Sequence, residues 1–314
     1  MDHRLSIKQV EEARNCIGAE FKDTPQFVND PLSKVLGCEL ILKIEILNPI
    51  RSFKARGTDY LIHNAQDREM VCASAGNFGQ AMAYSCRRKQ MHLTVFAAHT
   101  ANPLKIERMK ALGANVILSG NDFDAAKDRA RQYAREKQIR FVEDSLDIET
   151  LAGAGTIGLE LLAFPKPIEA LLIPLGNGAL INGIARVYKN FSPSTKIIAV
   201  QAAGAPAMVE SWKEGKVVEH PTVNTIADGI AVRLPVPQAV LDMQNLIDEA
   251  LVVKEQSIIQ AMTLLHIHAG VVAEPSGAVG LAAILENKNL FAKKTIATLV
   301  CGGNLTERQM EEWL

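Results

Sequence analysis

The sequence has no apolar stretch approaching the roughly 20 residues that a membrane-spanning helix requires. Its opening, MDHRLSIKQVEEARN, lacks the apolar core of a secretory leader. Cysteine is sparse: Cys16, Cys38, Cys72, Cys86 and Cys301 are odd in number, scattered and free of C-x-x-C spacing. That argues for a reducing compartment and against a disulfide framework or a structural zinc site. An excess of one charge is missing too, since 34 Lys and Arg stand against 35 Asp and Glu. With no basic run or face, neither a nucleic acid nor an anionic membrane finds an electrostatic footprint here. Internal repeats, low-complexity tracts and coiled-coil heptads are also absent. What remains is a 314-residue chain, 48% hydrophobic and 22% charged, the balance of an ordinary globular protein. The length suffices for one large or two moderate domains, and a cytoplasmic location is expected.

Short β-branched runs alternate with longer amphipathic stretches, which predicts parallel sheets covered by helices. ELILKIEIL reads as a strand, and REMVCASA as a strand ending in a glycine loop. GQAMAYSCRRKQ, NPLKIERMKALGA and DFDAAKDRARQYAREKQ read as helices between the strands HLTVFAA and NVILSG, Pro103 starting and Gly113 stopping the second helix. The rhythm resumes with EALLIPLGNG, ALINGIARVYKN and TKIIAVQAA, and closes with EPSGAVGLAAILEN and TIATLVCGG. The expected fold is α/β: two three-layer domains, each a mostly parallel sheet flanked by helices. Residues 1–67 and 147–314 are expected to form the larger domain and 68–146 a smaller, mobile one. A ligand is expected in the cleft between them.

LLIPLGNGALINGIARVYKN sets a buried strand, a Gly-Asn-Gly loop and a helix in series. Glycines let backbone N–H groups turn toward a ligand and a helix start favours an anion, so the loop suits a phosphate; a tight turn that holds nothing fits equally. A Walker loop would end in Gly-Lys-Ser/Thr, whereas Ile181, Asn182 and Gly183 follow here. A dinucleotide loop would need glycine at Ile181 and an acidic residue after TKIIAVQ. A single small phosphate remains. ASAGNFGQ also opens a helix, offering Ser74 and backbone amides to an anion. Lys54, beside Phe53 in NPIRSFKARG, follows an apolar strand and is expected to be partly enclosed.

SFKARG, ASAGNFGQ, the loop after LLIP, TIADGIAV, EPSGAVGLAA and LVCGGN occur in this order over roughly Leu40 to Leu305. In that order they resemble the tryptophan-synthase-β-like (fold type II) family of pyridoxal-phosphate enzymes, most of all its serine/threonine dehydratases and serine racemase. The resemblance implies a Schiff base between Lys54 and pyridoxal 5'-phosphate. Enclosure beside Phe53 would make this lysine, ordinarily protonated below a pKa of about 10.4, a better nucleophile. By resemblance, Asn77 contacts the cofactor's phenolic oxygen. Asn177, Gly178, Ala179 and Leu180 hold its phosphate, although Asn177 and Ala179 replace two of the family's usual glycines. Phe53 and Gly229 line the ring, and Cys301 faces the pyridine nitrogen. Ser74, Ala75, Gly76, Asn77 and Phe78 form the substrate side, and Glu274 is either near the cofactor or a helix cap.

Within the family, the resemblance implies β-elimination. Ala75 stands where the racemases carry a proton-transferring serine, which favours chemistry on one face and dehydration over racemisation. Gln201 and Ala207 stand where the racemase's divalent-metal carboxylates align, so no metal is expected. About ten residues follow CGGN, and isoleucine feedback through a C-terminal regulatory domain is not expected. The substrate is then a small hydroxy-amino acid such as serine or threonine, with Lys54 as general base, and the proton for the leaving hydroxyl comes through the cofactor phosphate. Arg51 is expected to point to solvent or to pair with Asp59 or Glu45; inside the site it would favour an acidic substrate such as 3-hydroxyaspartate. Three alternatives stay open: β-replacement, threonine synthesis, and a non-catalytic amino-acid-binding homologue. A homodimer or higher homo-oligomer is expected.

Overall fold

Runs of Val, Ile and Leu are stable as strands only when both faces are covered, which a helix-flanked parallel sheet provides. In the computed structural model, which describes residues 3–314, such runs form ten strands among the described residues. They are β1 Gln26–Val28, β2 Glu39–Ile44, β3 Glu69–Ala73, β4 His92–Ala97, β5 Asn115–Leu118, β6 Arg140–Val142, β7 Ala170–Pro174, β8 Lys196–Ala202, β9 Glu249–Val253 and β10 Thr295–Val300. The larger sheet has the order β1-β2-β10-β7-β8-β9, parallel throughout except for the β1–β2 pair. The smaller one, β5-β4-β3-β6, is entirely parallel. The α/β architecture expected from the alternating pattern is thus present. The short strands β1, β6 and β9 were not expected; three to five residues give little periodicity to read.

Alternation along each strand divides the larger core in two. Leu40, Leu42 and Ile44 face one layer with Leu172, Ile198 and Val200, against helix Pro275–Glu286 through Ala278 and Val279. Ile41, Leu171 and Ile173 face the other, against helix Ala179–Phe191 through Ile181 and Ile184. No helix among the described residues is long and apolar enough to cross a membrane.

Beside the second layer lies a buried group of four charges. Arg56 donates to Glu45 from Nε at 2.8 Å and to Glu160 from Nη1 at 2.6 Å, and Lys43 Nζ reaches Glu160 at 2.5 Å. Burial opposes ionisation of Glu160, but Arg56 and Lys43 outweigh it and hold the carboxyl at about 2, below its ordinary 4.5. A carboxylate whose pKa falls on folding stabilises the native state above its unfolded value. That stability is lost as pH falls from about 4.5 through about 2, amounting to on the order of 3 kcal/mol. Thermal unfolding measured across this window should therefore lose stability more steeply in the native chain than in Glu160→Gln. Equal slopes in the two proteins would refute the assignment.

Candidate active site

In parallel α/β sheets the open end lies beyond the carboxyl ends of the strands, where loops and helix starts converge. Here Ser74–Asn77 follow β3, Glu143 and Asp144 follow β6, Gly176–Gly178 follow β7 and Cys301 follows β10. All of them line one cavity of about 240 Å3 between the two sheets, together with Phe53 and Lys54. Every site residue expected from the sequence, including Ala75, Gly76, Phe78, Ala179, Leu180 and Gly229, borders this cavity.

Lys54 begins helix Lys54–Asn64, and its backbone N–H donates to Ser52 Oγ at 3.3 Å. Residues Ser52 and Gly302 form an isolated antiparallel bridge, and the Phe53 N–H donates to the Cys301 carbonyl at 3.1 Å. The lysine segment is thereby tied to the end of β10. Its Nζ lies 4.6 Å from the centre of the Phe53 ring and 2.5 Å from Asp144 Oδ2, with 17% of the side chain exposed. The lysine is thus largely enclosed, with an aromatic face on one side and a carboxylate on the other.

The start of helix Ala179–Phe191 has no side-chain cap, so its first amides are free to meet an anion. Gly178, at φ +103°, turns the chain into that helix through a conformation that strains any residue with a Cβ. Helix Asn77–Arg88 starts at Gly76, which supplies no side-chain cap, so the Asn77 and Phe78 amides are free. Ser74 Oγ accepts from the N–H groups of Gly76 at 3.1 Å and Gly79 at 2.9 Å, which leaves its own proton to donate.

Asn77 Nδ2 donates to Glu274 Oε1 at 2.7 Å, and Asn304 Nδ2 donates to Asn77 Oδ1 at 2.8 Å. Both ends of the amide are therefore held. A Cβ on Gly302 would fall 2.1 Å from Glu274 Oε1, so glycine is what admits this approach. Glu274 does not cap its own helix; it also accepts the Asn304 N–H at 3.0 Å. Burial, opposed by Lys105, pushes its carboxyl up to about 7. The Cys301 thiol, fully enclosed beside the carbonyl of Ser276, is raised mainly by burial and stays neutral. Ser276 Oγ is buried, borders the cavity and has no hydrogen-bond partner among the described residues.

These features fit a phosphorylated aromatic aldehyde. There is an enclosed amine for the aldehyde, a free helix start for the phosphate, and an unpartnered hydroxyl beside a neutral thiol for a ring nitrogen. Arg51 takes no part: it is exposed and does not line the cavity. Neither carboxylate named as its possible partner binds it, since Glu45 pairs with Arg56 and Asp59 with Arg88.

Several charged residues of the site carry no local sequence signal. Glu143 and Asp144 follow a strand too short to recognise. Lys105 pairs with Asp228, and Lys127 Nζ lies 3.1 Å from Glu143. Across the mouth of the cleft, Arg233 reaches Asp124 at 2.7 Å and Arg108 donates to Asn304 at 2.9 Å. The only available signal was position, in helices and loops that follow parallel strands.

The family described as pyridoxal-phosphate dependent enzyme matches residues 19–302. An L-threonine ammonia-lyase of Thermotoga maritima is 34% identical over 305 residues, covering 96% of this chain and 76% of that protein. A catabolic L-threonine dehydratase of Staphylococcus aureus is also 34% identical, covering 96% and 90%. Among solved structures, maize serine racemase superposes with a TM-score of 0.91 at 27% identity, covering 98% of this chain and 96% of that one. A threonine deaminase of Solanum lycopersicum gives 0.88 at 29% identity, covering 99% and 94%.

Proposed function

Because the chain belongs to the family of pyridoxal-phosphate-dependent enzymes, we propose that it is an ammonia-lyase acting on a hydroxy-amino acid, L-threonine or L-serine, to give a 2-oxo acid and ammonia. The observation that carries this assignment is the enclosed Lys54 amine in a cavity shared with two uncapped helix starts. The cofactor would be held by Lys54, by the amides around Gly178, Ala179 and Leu180 with Asn177, and by Asn77. Gly229 and Phe53 would flank it, and Ser276 and Cys301 would face its nitrogen. When bound, it supplies an electron sink that stabilises negative charge at the substrate α-carbon.

The chain's residues divide the remaining work. The Ser74 hydroxyl and the free amides at the start of helix Asn77–Arg88 bind the substrate carboxylate, fixing the α-carbon beside Lys54. Lys54 then takes the α-proton as general base. Ala75 carries no titratable group, so no second base stands at that position and return of the proton on the opposite side is disfavoured. The neutral Cys301 thiol leaves the facing nitrogen without a carboxylate to protonate it, which suits elimination, where charge departs promptly with the β-substituent. With Arg51 outside the cavity, the motive for a doubly acidic substrate such as 3-hydroxyaspartate falls away.

The test is a coupled 2-oxo-acid assay on protein loaded with pyridoxal phosphate, given L-threonine, L-serine and 3-hydroxyaspartate in turn. Release of 2-oxobutyrate or pyruvate with equal ammonia is expected. A bound cofactor with no 2-oxo acid from threonine or serine would overturn the assignment. Formation of a new amino acid only when sulfide is added would move it to β-replacement.

A further inference from the structure

We propose that Asp144 is the acid that protonates the departing β-hydroxyl, recharged by the proton that Lys54 takes from the α-carbon; this rests on the elimination assigned above. Three observations carry it. Asp144 borders the cavity and is itself buried, with 7% of the residue exposed. Its Oδ2 lies 2.5 Å from Lys54 Nζ, within direct proton-transfer reach of the residue proposed as base. Its Oδ1 is buried with no hydrogen-bond partner among the described residues. A carboxylate oxygen left unsatisfied in the interior is costly, and it is satisfied by a donor such as a substrate hydroxyl.

The proton balance closes within the chain and the substrate. The Cα–H bond breaks and its proton goes to Lys54 Nζ. Lys54 passes a proton to Asp144 Oδ2, and the carboxylic acid so formed gives one to the β-oxygen. As the Cβ–O bond breaks, its electron pair leaves with the oxygen as water, and the Cα–H pair becomes the new Cα–Cβ double bond. Lys54 returns to the amine and Asp144 to the carboxylate; no oxidant or reductant enters. The cofactor phosphate, from which the resemblance would draw this proton, is then not needed as the acid. Nearby, Asn177 Nδ2 at 3.4 Å and the Lys127–Glu143 pair hold the same loop in place.

The decisive comparison is between a leaving group that needs a proton and one that does not. Asp144→Asn, loaded with pyridoxal phosphate and verified by absorbance, is assayed on L-serine and on β-chloro-L-alanine. Turnover of serine is expected to fall roughly 10²–10⁴-fold, the range for a lost general acid, while chloride elimination stays within about threefold. Serine recovered from D₂O after incubation with the variant should carry deuterium at the α-carbon, since Lys54 still removes that proton. An equal fall on both substrates with no deuterium incorporation would make Asp144 merely structural and overturn the proposal, as would undiminished turnover of serine. Asp144→Glu, which keeps the carboxylate should the amide variant not fold, is expected to lose more turnover on serine than on β-chloro-L-alanine, because only the hydroxyl leaving group needs the displaced acid; an equal loss on both substrates would also overturn the proposal. Native protein that eliminates from neither substrate would instead sink the underlying ammonia-lyase assignment.

Discussion

Replacing Lys54 by alanine is expected to lower turnover of threonine or serine by about 10⁴-fold or more, since the proposed function makes one side chain both the covalent anchor and the general base. Borohydride treatment should fix the cofactor irreversibly to the native protein and not to Lys54→Ala, which separates loss of the anchor from loss of the fold. The substitution also strips Asp144 of its cation at 2.5 Å, leaving Asn177 at 3.4 Å as its remaining side-chain hydrogen-bond partner among the described residues. Lys54→Arg is the useful companion, because it keeps a positive charge beside Asp144 and removes the nucleophilic amine. It should be as inactive as the alanine variant while unfolding closer to the native temperature. Activity within tenfold of native in either variant would end the assignment of Lys54.

Arg56→Met is expected to destabilise the protein by about 3–5 kcal/mol, the range for breaking a buried ion pair by removing one partner. Arg56 is almost fully buried and donates from all three guanidinium nitrogens: to Glu45 from Nε at 2.8 Å and Nη2 at 2.9 Å, to Glu160 from Nη1 at 2.6 Å and Nη2 at 2.9 Å, and to Thr156 at 2.9 Å. Lys43 remains for Glu160, but Glu45 loses its only cation among the described residues. Methionine fills much of the volume, so the loss isolates the uncompensated carboxylate rather than a cavity. Calorimetry at neutral pH should show a fall in Tm of about 5–8 °C. A fall within error of zero would mean that the two carboxylates take up protons or rearrange at little cost. Because Arg56 sits two residues after Lys54 in the same helix, weaker retention of cofactor should accompany the loss of stability.

The two variants lie in one short motif, SFKARG, and expose two kinds of information in it. The place of Lys54 in the cavity was legible because it depends on local order: a strand, a turn, a lysine beside an aromatic, then a helix. The same holds for Gly178 and for Ser74–Asn77, whose helix starts are written in consecutive residues. Arg56 was not legible. Its partner Glu160 lies 104 residues away, and nothing in ARG distinguishes a buried arginine from a solvated one. Asp144 and Lys105 were missed for the same reason, since their partners Lys54 and Asp228 lie 90 and 123 residues off.

By itself, then, the sequence determined the α/β class, the cofactor family and the segments that line the candidate site, because hydrophobic period, helix starts and glycine turns are properties of neighbours along the chain. Only the tertiary structure decided which polar and charged groups meet: Asp144 against Lys54, Glu274 accepting from the Asn77 amide, Arg56 between Glu45 and Glu160, and Arg51 out in solvent. The physical reason is that a charge is indifferent to its sequence neighbours once buried. Its ionisation and its role follow from burial and from the nearest opposite charge, and both are set only when distant strands bring their carboxyl ends to one cavity.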